Sequence, residues 1–299
     1  MAVIGIMDSG MGGLSVFREI RKLLPDEHYI YYADNAHCPY GEKTPEYIRE
    51  RLHSITDFFI SRGAEAVVLA CNTATAAAIE YLRKEYDIPF VGMEPAVKPA
   101  ALGTKTGVIG VLATAGTLKG SKYLNTKGRF EDHVKIVERV GKDFVELVEA
   151  GKLTGPEAEA TVAAALEPLL AEGADRIVLG CTHYPFLLET LRKVAAELGH
   201  GDVEFIDPAP AVAKRLVQVL ESGAAQGEPL EGGVAQGEPS EDGAAQGQVP
   251  EGGVAATGGA GQVGAKAAAP AEEAVPKAGG VELFASGDDG KLKEFYASL

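Results

Sequence analysis

Cysteine is scarce in this chain of 299 residues, standing at three positions. Cys38, Cys71 and Cys181 cannot all pair with one another, and a chain of this length builds its cores without a disulfide framework. Basic residues are outnumbered, with 28 Lys and Arg against 43 Asp and Glu and a formal charge of −15. No basic cluster is available to follow a phosphate backbone, which argues against a nucleic-acid groove. Long apolar runs are missing as well: no window approaches the roughly 18 uninterrupted apolar residues of a membrane span. The opening MAVIGIMDSG carries neither a basic nor a long apolar export segment, so the expectation is a cytoplasmic protein with reduced thiols.

Aromatic residues are absent from 222–280, where glycine and alanine make up about half of the positions. GAAQGEPLEG, GVAQGEPSED and GAAQGQVPEG follow one another from Gly223 at a period of ten. A solenoid would need apolar positions that stack on their neighbours, and Leu230, Val234 and a few other valines do not supply them. The expectation is a disordered, low-complexity insertion that carries −6 of the net charge. Deleting 222–280 with a short Gly/Ser joint is expected to leave turnover largely intact, and loss of folding on that deletion would make the repeat structural.

Elsewhere short β-branched runs alternate with amphipathic stretches: Val3 to Met7 and Leu14 to Leu24, Tyr29 to Ala33 and Pro45 to Arg62, Ala66 to Ala70 and Thr73 to Tyr86. Val16, Phe17, Ile20 and Leu24 share one helical face, and Ile48, Leu52, Ile55 and Phe59 another. This alternation predicts an α/β fold of mostly parallel sheets flanked by helices. It restarts with strands near Val108, Val134 and Ile177 and helices over 117–126, 143–150 and 157–171. A strand at Val281 to Ala285 and a helix at Lys291 to Ser298 follow the insertion.

The two halves resemble each other. VIGIMDSGMGG from Val3 matches VIGVLATAGTL from Val108, and GAEAVVLAC ending at Cys71 matches GADRIVLGC ending at Cys181. Near-equal offsets of the two matches suggest an internal duplication. Each of these cysteines would sit just past the carboxyl end of a strand, where open parallel sheets bind ligands. Cysteines are often plain buried hydrophobes, but two in equivalent places, each followed by hydroxyl or amide side chains, favour a site. Amides at a helix start lower a thiol toward neutrality, which makes both candidate bases. Asn72, Thr73, Thr75 and Thr182 offer uncharged donors suited to a small carboxylate, and His183 lies two residues from Cys181. One thiolate could take a proton from a carbon while the other thiol returns one to the opposite face, with no metal or organic cofactor. The glycines of DSGMGG have the wrong spacing for a dinucleotide fingerprint, and Asp8 is either a helix cap or a group that tunes Cys71.

MDSGMGGLSV, YYADNAHCPYGEK, VVLACNTATA, ATAGT and VLGCTHYPFL, in this order, resemble the glutamate racemases of the cofactor-independent aspartate/glutamate racemase family. The resemblance covers nearly all of the chain outside 222–280. It implies two pseudosymmetric lobes with the active site between them: lobe A over 1–98, lobe B over 99–205, and 206–221 with 281–299 returning to lobe A. The implied reaction interconverts L- and D-glutamate for peptidoglycan synthesis, without cofactor or metal, with a homodimer as the usual assembly. Cys71 and Cys181 match the catalytic acid/base pair, acting on the D and L enantiomers respectively. Asp8 and His183 match their assistants, and Glu149 a further acid. Asp8, Ser9, Tyr40, Gly41, Asn72, Thr73, Thr182 and His183 match substrate contacts. Without the family, Glu149 reads as an exposed helix acid and His183 as a cap or core residue. Two departures stand out: Gly141 and Lys142 replace a common Cys-Pro pair, and His37 and Cys38 replace an arginine and an aliphatic residue. A related aspartate racemase and a non-catalytic carboxylate-binding protein remain as alternatives.

Overall fold

A computed structural model describes residues 1–223 and 278–299. Strands β1 (Val3–Asp8), β2 (His28–Ala33), β3 (Ala66–Leu69) and β4 (Phe90–Gly92) come first, and β5 (Val108–Ala113), β6 (Lys135–Val140), β7 (Arg176–Gly180) and β8 (Glu204–Ile206) next. A last strand, β9 (Val281–Ala285), follows 224–277, the stretch outside the described residues that holds nearly all of the expected insertion. One sheet has the order β4-β3-β1-β2-β9 and the other β6-β5-β7-β8, and every pairing is parallel. Read from the other side, the second sheet is β8-β7-β5-β6, so its four strands take the places of β4-β3-β1-β2. The sequence duplication is thus a duplication of topology.

Parallel strands must be covered on both faces, because their crossover helices return on either side. In β1, Ile4 and Ile6 face a cluster with Phe17, Ile20 and Leu216, while Val3 and Met7 face another with Leu52, Phe59 and Ile79. The period of two along the strand thus feeds two separate layers. β5 does the same, with Ile109, Val111 and Ala113 against Tyr123, and Leu112 against Phe144, Leu166 and Leu191. No helix among the described residues is long and apolar enough to cross a membrane.

Two helices depart from the periodicity. The stretch expected to be helical over 117–126 is instead two helices, Ala115–Lys119 and Ser121–Gly128, broken at Gly120, which adopts an extended backbone. After Cys181 the chain enters a short 3-10 turn, Tyr184–Leu187, before the helix Leu188–Glu197, whereas the helix Asn72–Glu85 starts directly after Cys71. Proline at position 185 lacks an N–H, and this short turn absorbs it before regular helix begins.

β9 closes the edge of the first sheet beside β2, and the residues just before it already pair: Gly279 donates to the Asp26 carbonyl, and Tyr29 donates to that of Gly280. At the end of β2, the buried Asp34 accepts from Arg51 Nε at 3.0 Å and Nη2 at 2.7 Å and from the Tyr40 hydroxyl at 2.5 Å. Burial alone would raise its carboxyl, but these bonds hold it below the ordinary range. A depressed carboxyl contributes stability above its unfolded value, about 3.9, and loses it as pH falls through the folded one. Asp34→Asn is therefore expected to cost about 3 kcal/mol at neutral pH, since it strands a guanidinium against a neutral partner. Urea unfolding should show that gap to wild type narrowing below about pH 4.

Candidate active site

The carboxyl ends of β1, β3, β5 and β7 converge on one pocket. Register explains why: Met7 pairs Leu69 in the first sheet and Ala113 pairs Gly180 in the second, so the strand tips are level within each sheet. Cys71 comes from the first of these sheets and Cys181 from the second, and both line the pocket. Ser9, Tyr40, Gly41, Asn72, Thr73, Thr182 and His183 line it too. Of the residues singled out in the sequence, Asp8 and Glu149 stand behind this wall, each bonded to residues that form it.

Cys71 is the N-cap of the helix Asn72–Glu85. Its Sγ accepts from Ala74 N at 3.4 Å and lies 3.7 Å from Ser9 Oγ. The expected lowering of this thiol is reversed. Burial, and after it the charge of Asp8, push the Cys71 thiol well above its ordinary value, and the helix amide offsets only part of that. Asp8 is completely buried at the tip of β1, where it accepts from Gly10 N at 2.9 Å and the Thr182 hydroxyl at 3.3 Å. Burial raises its carboxyl, countered in part by the charge of His183. Asp8 is thus bonded across to the other half of the molecule, and it is no plain helix cap.

On the other side Cys181 Sγ lies 3.7 Å from His183 Nδ1, and His183 Nε2 lies 2.6 Å from Glu149 Oε1. Glu149 closes the helix Phe144–Glu149 and also accepts from Met11 N at 2.7 Å. Burial alone would lower the His183 imidazole, but its bonds to Cys181 and Glu149 carry it well above its ordinary value. Burial would likewise raise the Glu149 carboxyl, and the bond to His183 brings it below the carboxylate range instead. The pair is an imidazolium facing a carboxylate. Read from composition alone, both residues looked ordinary; together they build a chain from Glu149 through His183 to Cys181.

Polar groups complete the wall. The Thr73 hydroxyl bridges the two halves, lying 3.0 Å from Thr114 Oγ1 and 3.5 Å from Thr117 Oγ1, which are themselves 2.9 Å apart. Asn72 Oδ1 is buried and finds no donor among the described residues. A buried acceptor left unpaired costs stability unless a ligand supplies the missing N–H. The Tyr40 hydroxyl, by contrast, is already committed to Asp34.

A family model described as Asp/Glu/hydantoin racemase matches residues 4–216. The chain belongs to this racemase family. It is an isomerase with an α/β fold of two mostly parallel sheets flanked by helices, matching solved glutamate racemase structures. It is 51% identical over 220 residues to a glutamate racemase of Pseudomonas entomophila, an alignment covering 73% of this chain and 82% of that one. It also resembles the solved glutamate racemase of Escherichia coli, in complex with L-glutamate and an activator, with a TM-score of 0.68 and 40% identity over 74% of this chain and 82% of that one. A glutamate racemase isoform from Bacillus anthracis gives a TM-score of 0.67 and 34% identity over 75% and 83%.

Gly141, His37 and Cys38, three of the four residues that depart from the family pattern, have local contacts that account for them, and nothing in the structure explains Lys142. A Cβ at position 141 would fall 2.5 Å from the Tyr184 hydroxyl oxygen, and that hydroxyl donates to the Gly141 carbonyl at 3.3 Å. Glycine at 141 is thus the counterpart of the buried Tyr184 ring. His37 Nδ1 is 2.5 Å from the Tyr47 hydroxyl, and Cys38 packs beside Gly10. Sequence reasoning passed over Thr114, Pro39 and Val145, which line the pocket. Thr114 was within reach: in the duplicated strand-plus-turn it occupies the place of Ser9.

Proposed function

We propose that the chain interconverts L- and D-glutamate by a two-base proton transfer at the α-carbon, with Cys71 and Cys181 as the bases. The observation that carries this reading is two thiols, from topologically equivalent strand ends of two sheets, lining one small pocket. The names of relatives at about 50% identity favour glutamate as substrate. Ser9, Asn72, Thr73 and Thr182, with Tyr40 and Gly41, would receive the amino and carboxylate groups. Among the described residues the one cationic side chain lining the pocket is His183, which stands beside Cys181, so the charge that favours a thiolate at Cys71 would arrive with the substrate as its α-ammonium. Asp8, buried behind the wall, would act on Cys71 through its charge, and the His183 imidazole, held by Glu149, would be positioned beside Cys181.

Turnover then needs one thiol ionised and the other protonated, their roles exchanging with the direction of reaction. The product would serve peptidoglycan synthesis in the cytoplasm, and a homodimer is part of the proposal, tested by sedimentation. To test the substrate, L-glutamate and L-aspartate are incubated separately with the purified chain, without added cofactor, and optical rotation is followed. Loss of rotation with L-glutamate, at least tenfold faster than with L-aspartate, is expected. The reverse preference would make the chain an aspartate racemase, and silence on both with binding of either would favour the non-catalytic reading.

A further inference from the structure

Cys38 has no part in the proton transfers, yet its thiol lies beside the His183 and Glu149 pair. The ligand atoms of Cys38, Glu149 and His183 all lie within 4.8 Å of one another. A second observation places them on common ground. A Cβ at Gly10 would overlap the Glu149 carboxylate and come within 3.1 Å of Cys38 Sγ, so both donors converge over a bare stretch of main chain. Cys38 and Glu149 are only partly buried, which leaves a way in from solvent.

We propose that Cys38, Glu149 and His183 form an inhibitory site for a soft divalent cation of the zinc type. Thiolate, imidazole and carboxylate are the donors such an ion selects, whereas magnesium and calcium prefer oxygen alone. Ligands around a tetrahedral zinc ion stand roughly 3.3 to 3.7 Å apart, at bond lengths of about 2.0 to 2.3 Å. The 2.6 Å contact between His183 Nε2 and Glu149 Oε1 therefore opens slightly as the ion enters between them. Cys38 gives its thiol proton to solvent as the metal–sulfur bond forms, and the proton shared by His183 and Glu149 leaves as well. Two protons are released for each cation bound, with water in the fourth position. The surroundings suit a cation, because the nearby Glu149 and Asp8 charges add to burial in opposing a bare thiolate at Cys38.

Binding withdraws His183 Nε2 from Glu149 and fixes the ring for the metal, so the Cys181 side of the reaction stops. This consequence rests on the proposed role of His183, while the binding itself does not. The test titrates wild type and Cys38→Val with zinc in a racemase assay and, separately, with cobalt(II), whose thiolate charge-transfer absorption reports a metal–sulfur bond without any turnover. Zinc is expected to half-inhibit wild type at a concentration at least tenfold lower than it needs for Cys38→Val, with magnesium inert on both. The cobalt–thiolate band should be lost in Cys38→Val, which removes the only sulfur donor of the site. Equal zinc sensitivity, or a band that titrates identically in the variant, would place the metal on Cys71 or Cys181 and overturn the proposal. If Cys38→Val does not fold, Cys38→Ser takes its place under the same criteria. A chain that racemises nothing but loses its cobalt band in the variant would refute the functional reading and keep the metal site.

Discussion

Replacing Cys71 with serine is expected to lower racemisation in both directions by about a thousandfold or more, the upper range for loss of a positioned general acid or base. Serine keeps the shape of the side chain and its place as N-cap above Ala74, so the fold is preserved. What disappears is the thiol as a base, since a hydroxyl in the same place holds its proton far more tightly. The loss should be asymmetric in exchange. Cys181 with its His183 partner is intact in that variant, so L-glutamate should still trade its α-proton for solvent deuterium on one face, without inverting. Cys181→Ser should show the mirror pattern, with exchange kept in D-glutamate. Proton NMR of each enantiomer, beside steady-state rates, checks both statements. Wild-type racemisation by either variant would rule out two thiol bases.

Gly12→Ala should cost about a hundredfold in kcat, the price of misplacing a catalytic group by about an ångström. A methyl at position 12 would occupy the space of the His183 ring, approaching Nδ1, Cε1 and Cγ together. The ring is fully buried and bonded at both nitrogens, to Cys181 and to Glu149, so it cannot yield without breaking that chain. A paired experiment separates this effect from general destabilisation. In a His183→Ala background the same methyl meets an empty space, so adding Gly12→Ala should change the residual rate by less than about threefold, the non-additivity expected of two changes acting through one contact. Full additivity would mean that Gly12 matters for some reason other than the imidazole.

Much of this arrangement is legible in the sequence because it is written twice. VIGIMDS and VIGVLAT place β1 and β5 at the centres of equivalent sheets, and the two cysteine segments place β3 and β7 beside them. The pattern of alternate buried residues then follows from parallel strands covered on both faces. Glu149 and His183 resist such reading: 34 residues separate them, and their partnership exists only after the helix Phe144–Glu149 docks beside the turn at Tyr184. Asp34 and Arg51 are hidden for the same reason, one ending a strand and the other on a helix surface. The Cys71 thiol shows a different limit. A helix start is visible in sequence, but the burial and the Asp8 charge that outweigh it are properties of the folded site. The split at Gly120 escaped because periodicity reads through a single residue of extended backbone.

The central claim is that two bases act from opposite faces, and the most direct test is the location of the first deuterium. L-glutamate is racemised in deuterated buffer to low conversion, and both the remaining L and the new D enantiomer are separated and examined at the α-carbon. Two bases predict D-glutamate carrying deuterium from the first turnovers while the recovered L-glutamate still carries protium. Deuterium rising equally fast in the recovered L-glutamate, or protium carried over into the D product, would require a single base and contradict the account.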